Sequence, residues 1–201
     1  MRRDIPPSPI LAFFMAPDYT YPLLKKWPIW AKFLIFSAGT LSISLFFTNF
    51  HFWNKVHLAD GPSAIDYTLT IIVMAGLFTL LATVHVLVLK SVTKLVRITV
   101  PIKNLPGMVI ITTYLYFALF LPLNGAIFCL KITGHDYTAA LIQYIANFTP
   151  LSLPFGLYAQ NQILESNYRL PPLRCFAAGV LTGLVMIFFF VGAMVPLIKA
   201  S

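Results

Sequence analysis

YTAALIQYIANFTPLSLPFGLYAQ, residues 137–160, is the stretch whose reading decides the fold. About 20 apolar residues in helical form cross a bilayer core. This stretch has the length but not the purity. Gln143, Asn147, Thr149 and Ser152 are polar, and Pro150 and Pro154 each lack a backbone donor. The pattern predicts a broken or half-inserted helix, tolerated only where it is buried in protein or lines a wet cavity. If the stretch crosses, the chain has five spans. If it does not, the last span inverts and the C-terminus changes sides.

The rest of the chain reads more simply. Hydrophobic residues make up 59% and charged residues 10%, against about 25% charged in a soluble domain. Such a chain cannot cover a water-facing surface. Apolar runs at residues 27–47, 67–89, 106–130 and 175–197 join 137–160 as expected spans, the third containing Pro122. The expected fold class is therefore all-α, a polytopic transmembrane helical bundle of five spans. It occupies residues 27–201 behind a prelude, residues 1–26, and leaves no length for a separate soluble domain. In the prelude, the apolar stretch Ile10 to Ala16 follows Arg2 and Arg3 and stops at Pro17. It is too short for a secretory signal. With Ser8 and Pro9 as cap and first position, it predicts a short helix in the headgroup region or against the bundle. Trp27, Trp30 and Trp53 fall near span ends, where indole rings are favoured.

Orientation follows from the basic residues, 14 Lys and Arg against 6 Asp and Glu. With five spans, only Lys55, Lys131 and Lys199 fall on the second side, and the remaining basic residues share the first. The positive-inside rule makes that first side cytoplasmic, so the arrangement is N-in and C-out. Placement accounts for the basic excess, and no nucleic-acid partner is expected. Lys90, Lys94, Arg97, Lys103, Arg169 and Arg174 form the cytoplasmic face that would meet anionic lipids or a partner. Topology alone also explains these charges. The same arrangement puts Cys129 and Cys175 near opposite membrane faces, so no disulfide is expected.

Small residues mark packing seams. Ser37, Thr40 and Ser44 share one face of the first span, Gly76, Thr79 and Thr83 one face of the second, and Gly179-x-x-x-Gly183 lies in the fifth. These are read as seams inside one bundle, with a dimer interface as the alternative. The triplet Asp-Tyr-Thr occurs at 18–20, 66–68 and 136–138. At the latter two sites Asp is expected to cap a span. A parallel internal repeat is the rival explanation.

Polar residues inside spans are the candidate sites. His85 would bind a headgroup, relay a proton or bond a neighbouring helix. Asn124, beside Pro122, would bond the backbone groups that the proline frees. Gln143, Asn147, Thr149, Pro150 and Pro154 mark a pathway, a partner groove or simply a kink. There are no paired carboxylates within spans, no metal-type spacing of His, Cys and acid, and no G-x-S-x-G, H-E-x-x-H or phosphate-binding glycine loop. No enzyme, cofactor or metal is expected.

Phe13-Phe-Met-Ala-Pro17, Leu23-Leu-Lys-Lys-Trp-Pro28 and Ala82-Thr-Val-His-Val-Leu-Val-Leu-Lys90, followed by Arg97, Pro101 and Pro106, resemble segments of the Yip family. That family consists of small five-span membrane proteins with an N-in, C-out layout. The loop from Ser91 to Arg97 lacks the glycines often seen there. The resemblance implies a non-enzymatic membrane protein, linked in eukaryotes to small-GTPase membrane traffic, and carries over no binding residue. The expected function is a non-catalytic scaffold or interaction partner for membrane lipids and another membrane protein. The alternatives are a small channel or transporter along the fourth span, and an immunity or accessory subunit. Compact size and the lack of long polar tails suggest a bacterial inner membrane.

Overall fold

The computed structural model describes residues 10, 12, 13, 16–51 and 63–199. Arg2, Arg3, Ser8, Pro9, Trp53 and Lys55 lie outside the described residues. The helices are α1 (Pro17–Lys25), α2 (Ile29–His51), α3 (Ala64–Leu95), α4 (Leu105–Val109), α5 (Leu115–Leu119), α6 (Leu121–Ile132), α7 (Asp136–Ala146), α8 (Ser152–Tyr168) and α9 (Pro172–Lys199). A π-helical turn, Ile110–Tyr114, joins α4 to α5, and 3₁₀ turns occupy Ile102–Asn104 and Thr149–Leu151. No strand occurs among the described residues. Four segments are long and apolar enough to cross a membrane: Ile29–Phe50, Ile65–Leu95, Ile102–Leu119 and Pro172–Phe189. The chain is an all-helical integral membrane protein.

Local chemistry moves several boundaries from their expected places. Pro17 opens α1, because a first helical position has no use for the missing N–H, and residues 10, 12 and 13 before it are helical. Asp66 is not the cap of α3. Ser63 is the cap, its hydroxyl accepting from the Asp66 amide at 3.3 Å while the Asp66 carboxylate accepts from the Ser63 amide at 2.8 Å. This capping box starts α3 three residues earlier than residue 67. Asp136 likewise lies in the first turn of α7, after His135, and makes no side-chain cap. The expected third span is interrupted twice, by the π-turn and at Phe120, just before Pro122 near the start of α6. The stretch 137–160 is divided between α7 and α8, with the break at residues 147–151. Pro150 and Pro154 both fall in first turns, where no intrahelical donor is lost.

The helices close a ring. α2 packs against α3, α3 against α9, α9 against α8, α8 against the π-turn, and the π-turn and α5 against α2. α7 lies on α6, and α1 lies on α8. One end of the bundle is built from Phe13, Tyr21, Leu24, Leu89, Leu105, Met108, Ile163, Leu164 and Cys175. The loops carrying Arg97, Lys103 and Arg169 meet there: Val92 and Ile98 pack with Ala178, and Asn104 Nδ2 donates to the Tyr168 hydroxyl at 3.2 Å. Arg97 and Arg169 both end their helices in the left-handed conformation (φ 57° and 52°), a position that ordinarily favours glycine.

The ring depends on two close backbone approaches to the π-turn. A Cβ on Gly39 of α2 would stand 2.5 Å from the Tyr114 carbonyl oxygen, and one on Gly156 of α8 would stand 2.5 Å from that of Thr112. In lipid, helices associate through such packing rather than through expulsion of water. Gly179 and Gly183 of α9 also face α8, against Asn161 and Leu157. The stripe on α3 does not behave as an internal seam. Gly76, Thr79 and Thr83 are exposed, and the two hydroxyls are satisfied within the helix by the carbonyls of Ala75 and Thr79. Back-bonded threonines need no partner helix, so this face can meet lipid. We expect Gly39→Ala and Gly156→Ala each to lower stability by about 1–3 kcal/mol. Gly76→Ala, with open space at its Cβ, should be neutral or stabilising by up to about 1 kcal/mol. Thermal unfolding of the purified protein in detergent checks all three.

Candidate functional site

Two sets of polar side chains are buried within the bundle. The first lines a cavity of about 360 Å³, within the range of about 300–1,000 Å³ usual for small-molecule sites. Aromatic side chains dominate its wall: Phe46, Phe47 and Phe50 from α2, Phe78 from α3, Tyr114 and Phe117 from the π-turn and α5. Ile43, Leu81, Leu153 and Met186 complete the apolar lining. Phe47 stacks on Phe78 with ring centroids 5.6 Å apart. Of the lining residues Phe50 and Pro150 are exposed, whereas His85 and Thr113 are 2% and 4% exposed.

The polar part of the lining is chemically unfinished. His85 Nε2 and Thr113 Oγ1 are buried with no hydrogen-bond partner in the structure. Thr112, one residue earlier, bonds back to the Met108 carbonyl at 2.8 Å, as helical threonines commonly do. Thr113 makes no such bond. The Gln160 side chain of α8 reaches the neighbourhood of the His85 ring, yet neither of its amide atoms closes a hydrogen bond of good geometry. His85 is thus buried between helices. The Tyr114 hydroxyl is spoken for, donating to the Phe78 carbonyl at 3.0 Å.

The second group is a set of amides linking α2 to α6 and to the break after α7. Asn124 Nδ2 donates to the Ser42 carbonyl and hydroxyl, both at 3.1 Å, and approaches Thr149 Oγ1 at 3.4 Å. Asn49 Nδ2 donates to the Asn124 carbonyl at 3.1 Å, and Lys131 Nζ donates to the Asn49 carbonyl at 2.6 Å. Carbonyls only accept, so these partners fix which side-chain atom of each Asn is nitrogen. The remaining oxygens, Asn49 Oδ1 and Asn124 Oδ1, are buried without partners. Asn124 therefore bonds a neighbouring helix, not the backbone freed by Pro122. The proline needs no such help at the start of α6.

The other sequence candidates scatter. Gln143 Nε2 donates to Asn147 Oδ1 at 3.1 Å along α7, Gln143 being buried and Asn147 exposed. Thr149 is buried, whereas Pro150 and Pro154 are exposed. Lys90, Lys94, Arg97, Lys103, Arg169 and Arg174 are all exposed. Cys129 and Cys175 are both free thiols. No group of three His, Cys, Asp or Glu side chains comes together among the described residues. Sequence reasoning picked out His85 but missed Thr113, Gln160 and Asn49. A lone Thr or Asn in an apolar run gives no hint of which helix it faces.

Comparison with family models, curated proteins and solved structures finds no match to this chain.

Replacing Asn124 by Leu removes the donor to Ser42 and strands that helix contact. We expect a loss of about 1–3 kcal/mol, read as a lower unfolding midpoint in detergent. Leu at Asn147, which bonds only within α7, should cost well under half as much.

Proposed function

We propose that this protein is a non-catalytic membrane protein that binds and holds other membrane components, with a lipid chain seated in the aromatic cavity. The carrying observation is the cavity itself, with an apolar wall, exposed Phe50 and Pro150 in its lining, and buried polar His85 and Thr113. An acyl or isoprenoid chain fits the wall, and an oxygen on that chain would supply the partner that the imidazole and hydroxyl lack. The Yip-family resemblance points the same way, toward binding without chemistry.

The reading includes five crossings, N-in and C-out. What supports it is the course of residues 136–168. Residue 136 follows the helix whose Lys131 bonds to Asn49 near the end of α2. Tyr168 meets Asn104 among the basic loops at the opposite end. A second reading, a pathway along residues 143–154, draws support from the unpartnered buried oxygens of Asn49, Asn124 and Gln143 near the helix break.

Two experiments check this. In lipid nanodiscs, a photoactivatable long-chain alcohol should crosslink to the Phe78–His85 and Thr113–Phe117 segments, and Met186→Trp should cut that labelling severalfold. Labelling confined to exposed residues such as Leu184 and Phe188, and indifferent to Met186→Trp, would overturn the cavity reading. For topology, single cysteines at Thr133 and Arg169 in a chain lacking Cys129 and Cys175 should react with an impermeant thiol reagent from opposite sides. Labelling from one side would remove the crossing between them.

A further inference from the structure

A second pocket lies at the other end of the bundle, and its chemistry differs from that of the cavity. It measures about 430 Å³ and is bounded by Tyr21, Pro22, Lys25 and Lys26 from α1 and its end, and by Asn167 and Tyr168 from the end of α8. We propose that this pocket binds the phosphate of an anionic lipid headgroup, with Lys25 and Lys26 supplying the charge and the Tyr21 hydroxyl a buried donor.

Three observations carry the assignment. First, Tyr21 borders the pocket and is 2% exposed, and its buried hydroxyl has no hydrogen-bond partner. The Tyr168 hydroxyl lies near it but accepts from Asn104 and closes no bond with Tyr21 of good geometry. Burial and the neighbouring Tyr168 push the Tyr21 phenol above its usual range, so it stays an O–H donor. A buried donor without an acceptor is costly, and an anionic oxygen is the strongest acceptor available to it. Second, Lys25 and Lys26 are exposed side chains on the rim, and Lys32 adds a third cation, its ammonium donating to the Lys25 carbonyl at 2.7 Å. Lysines at the end of α1 also complement the helix dipole, but the dipole does not account for the Tyr21 hydroxyl. Third, the pocket adjoins lipid-facing surface. Ile29, Trp30 and Phe33 at the start of α2, and Tyr19 and Leu23 on α1, are large, apolar and exposed. A phosphate held here would carry its chains onto that surface.

The nearby acid does not occupy the pocket. Asp18 lies in the first turn of α1, where its carboxylate accepts from Ser166 Oγ at 3.3 Å and its carbonyl accepts from Asn167 Nδ2 at 3.2 Å. These bonds fasten α1 to α8 and so hold the two walls together. The inference is independent of the aromatic cavity, and either site can fail without the other.

Native mass spectrometry of the full chain, loaded from mixed micelles, tests the assignment, with phosphatidic acid, phosphatidylcholine and inorganic phosphate as probes. The wild type should retain phosphatidic acid in preference to phosphatidylcholine. Lys25→Gln with Lys26→Gln should abolish the preference. Tyr21→Phe keeps the buried ring, so folding is preserved, and should weaken phosphatidic acid retention roughly tenfold. The control is Lys55→Gln with Lys199→Gln, an equal loss of charge at residues remote in sequence from α1, which should leave the preference intact. Displacement of the lipid by millimolar inorganic phosphate would support phosphate recognition and assign the free ion as its source. Resistance to displacement would support the lipid. No preference for phosphatidic acid, or an equal loss in the control variant, would overturn the proposal.

Discussion

The bundle is organised around one backbone contact made twice. The π-turn at Ile110–Tyr114 presents the carbonyls of Thr112 and Tyr114, and Gly39 and Gly156 bring α2 and α8 against them from two sides. Neither helix can approach so closely with a side chain at that point. Since apolar burial drives little association within lipid, this steric fit takes the part that a hydrophobic core plays in a soluble domain. Ring closure through α3 and α9 follows from it, because α2 and α8 are each held to the same turn. The aromatic cavity is the space left inside that ring.

The same turn sets the chemistry of the cavity. A π-turn accommodates one extra residue in its hydrogen-bonded ring and re-aims the side chains that follow it. Here Thr112 bonds back to Met108 while Thr113 is left unpaired on the cavity wall, opposite His85 from α3. Tyr114 spends its hydroxyl on the Phe78 carbonyl, tying the turn to α3 at the same level. Apolar walls and two unsatisfied polar atoms are the ground of the lipid-chain reading proposed above. The amide set at Asn49 and Asn124 differs in kind, since most of its donors are used between helices and it acts as a clasp.

Much of this could be read from the residues alone. The apolar runs located the four long segments, and the amides and prolines of 137–160 pointed to the stretch where helix α7 gives way to α8. What escaped was any feature that depends on partners. Nothing in the run Val109–Tyr116 announces a π-turn, because its residues are ordinary helix-compatible ones. Gly76 and Gly156 look alike in sequence, yet one has open space at its Cβ and the other touches backbone. Asp66 looked like a cap until Ser63, three residues earlier, took that place.

By itself, then, the sequence determined that this chain lives in a membrane, since so few charges cannot cover a water-facing surface, and that it crosses as helices, since its apolar runs have helical span length. It also determined that residues 137–160 are no plain helix, because proline cannot donate and buried amides need partners. Only the tertiary structure decided what that irregularity does. Gly156 and Pro150 place the start of α8 against the π-turn and in the cavity lining, and the break lets Thr149 face Asn124. The physical reason is directional. Composition fixes how much apolar surface there is, but a close contact or an unpaired hydroxyl exists only relative to the helix opposite.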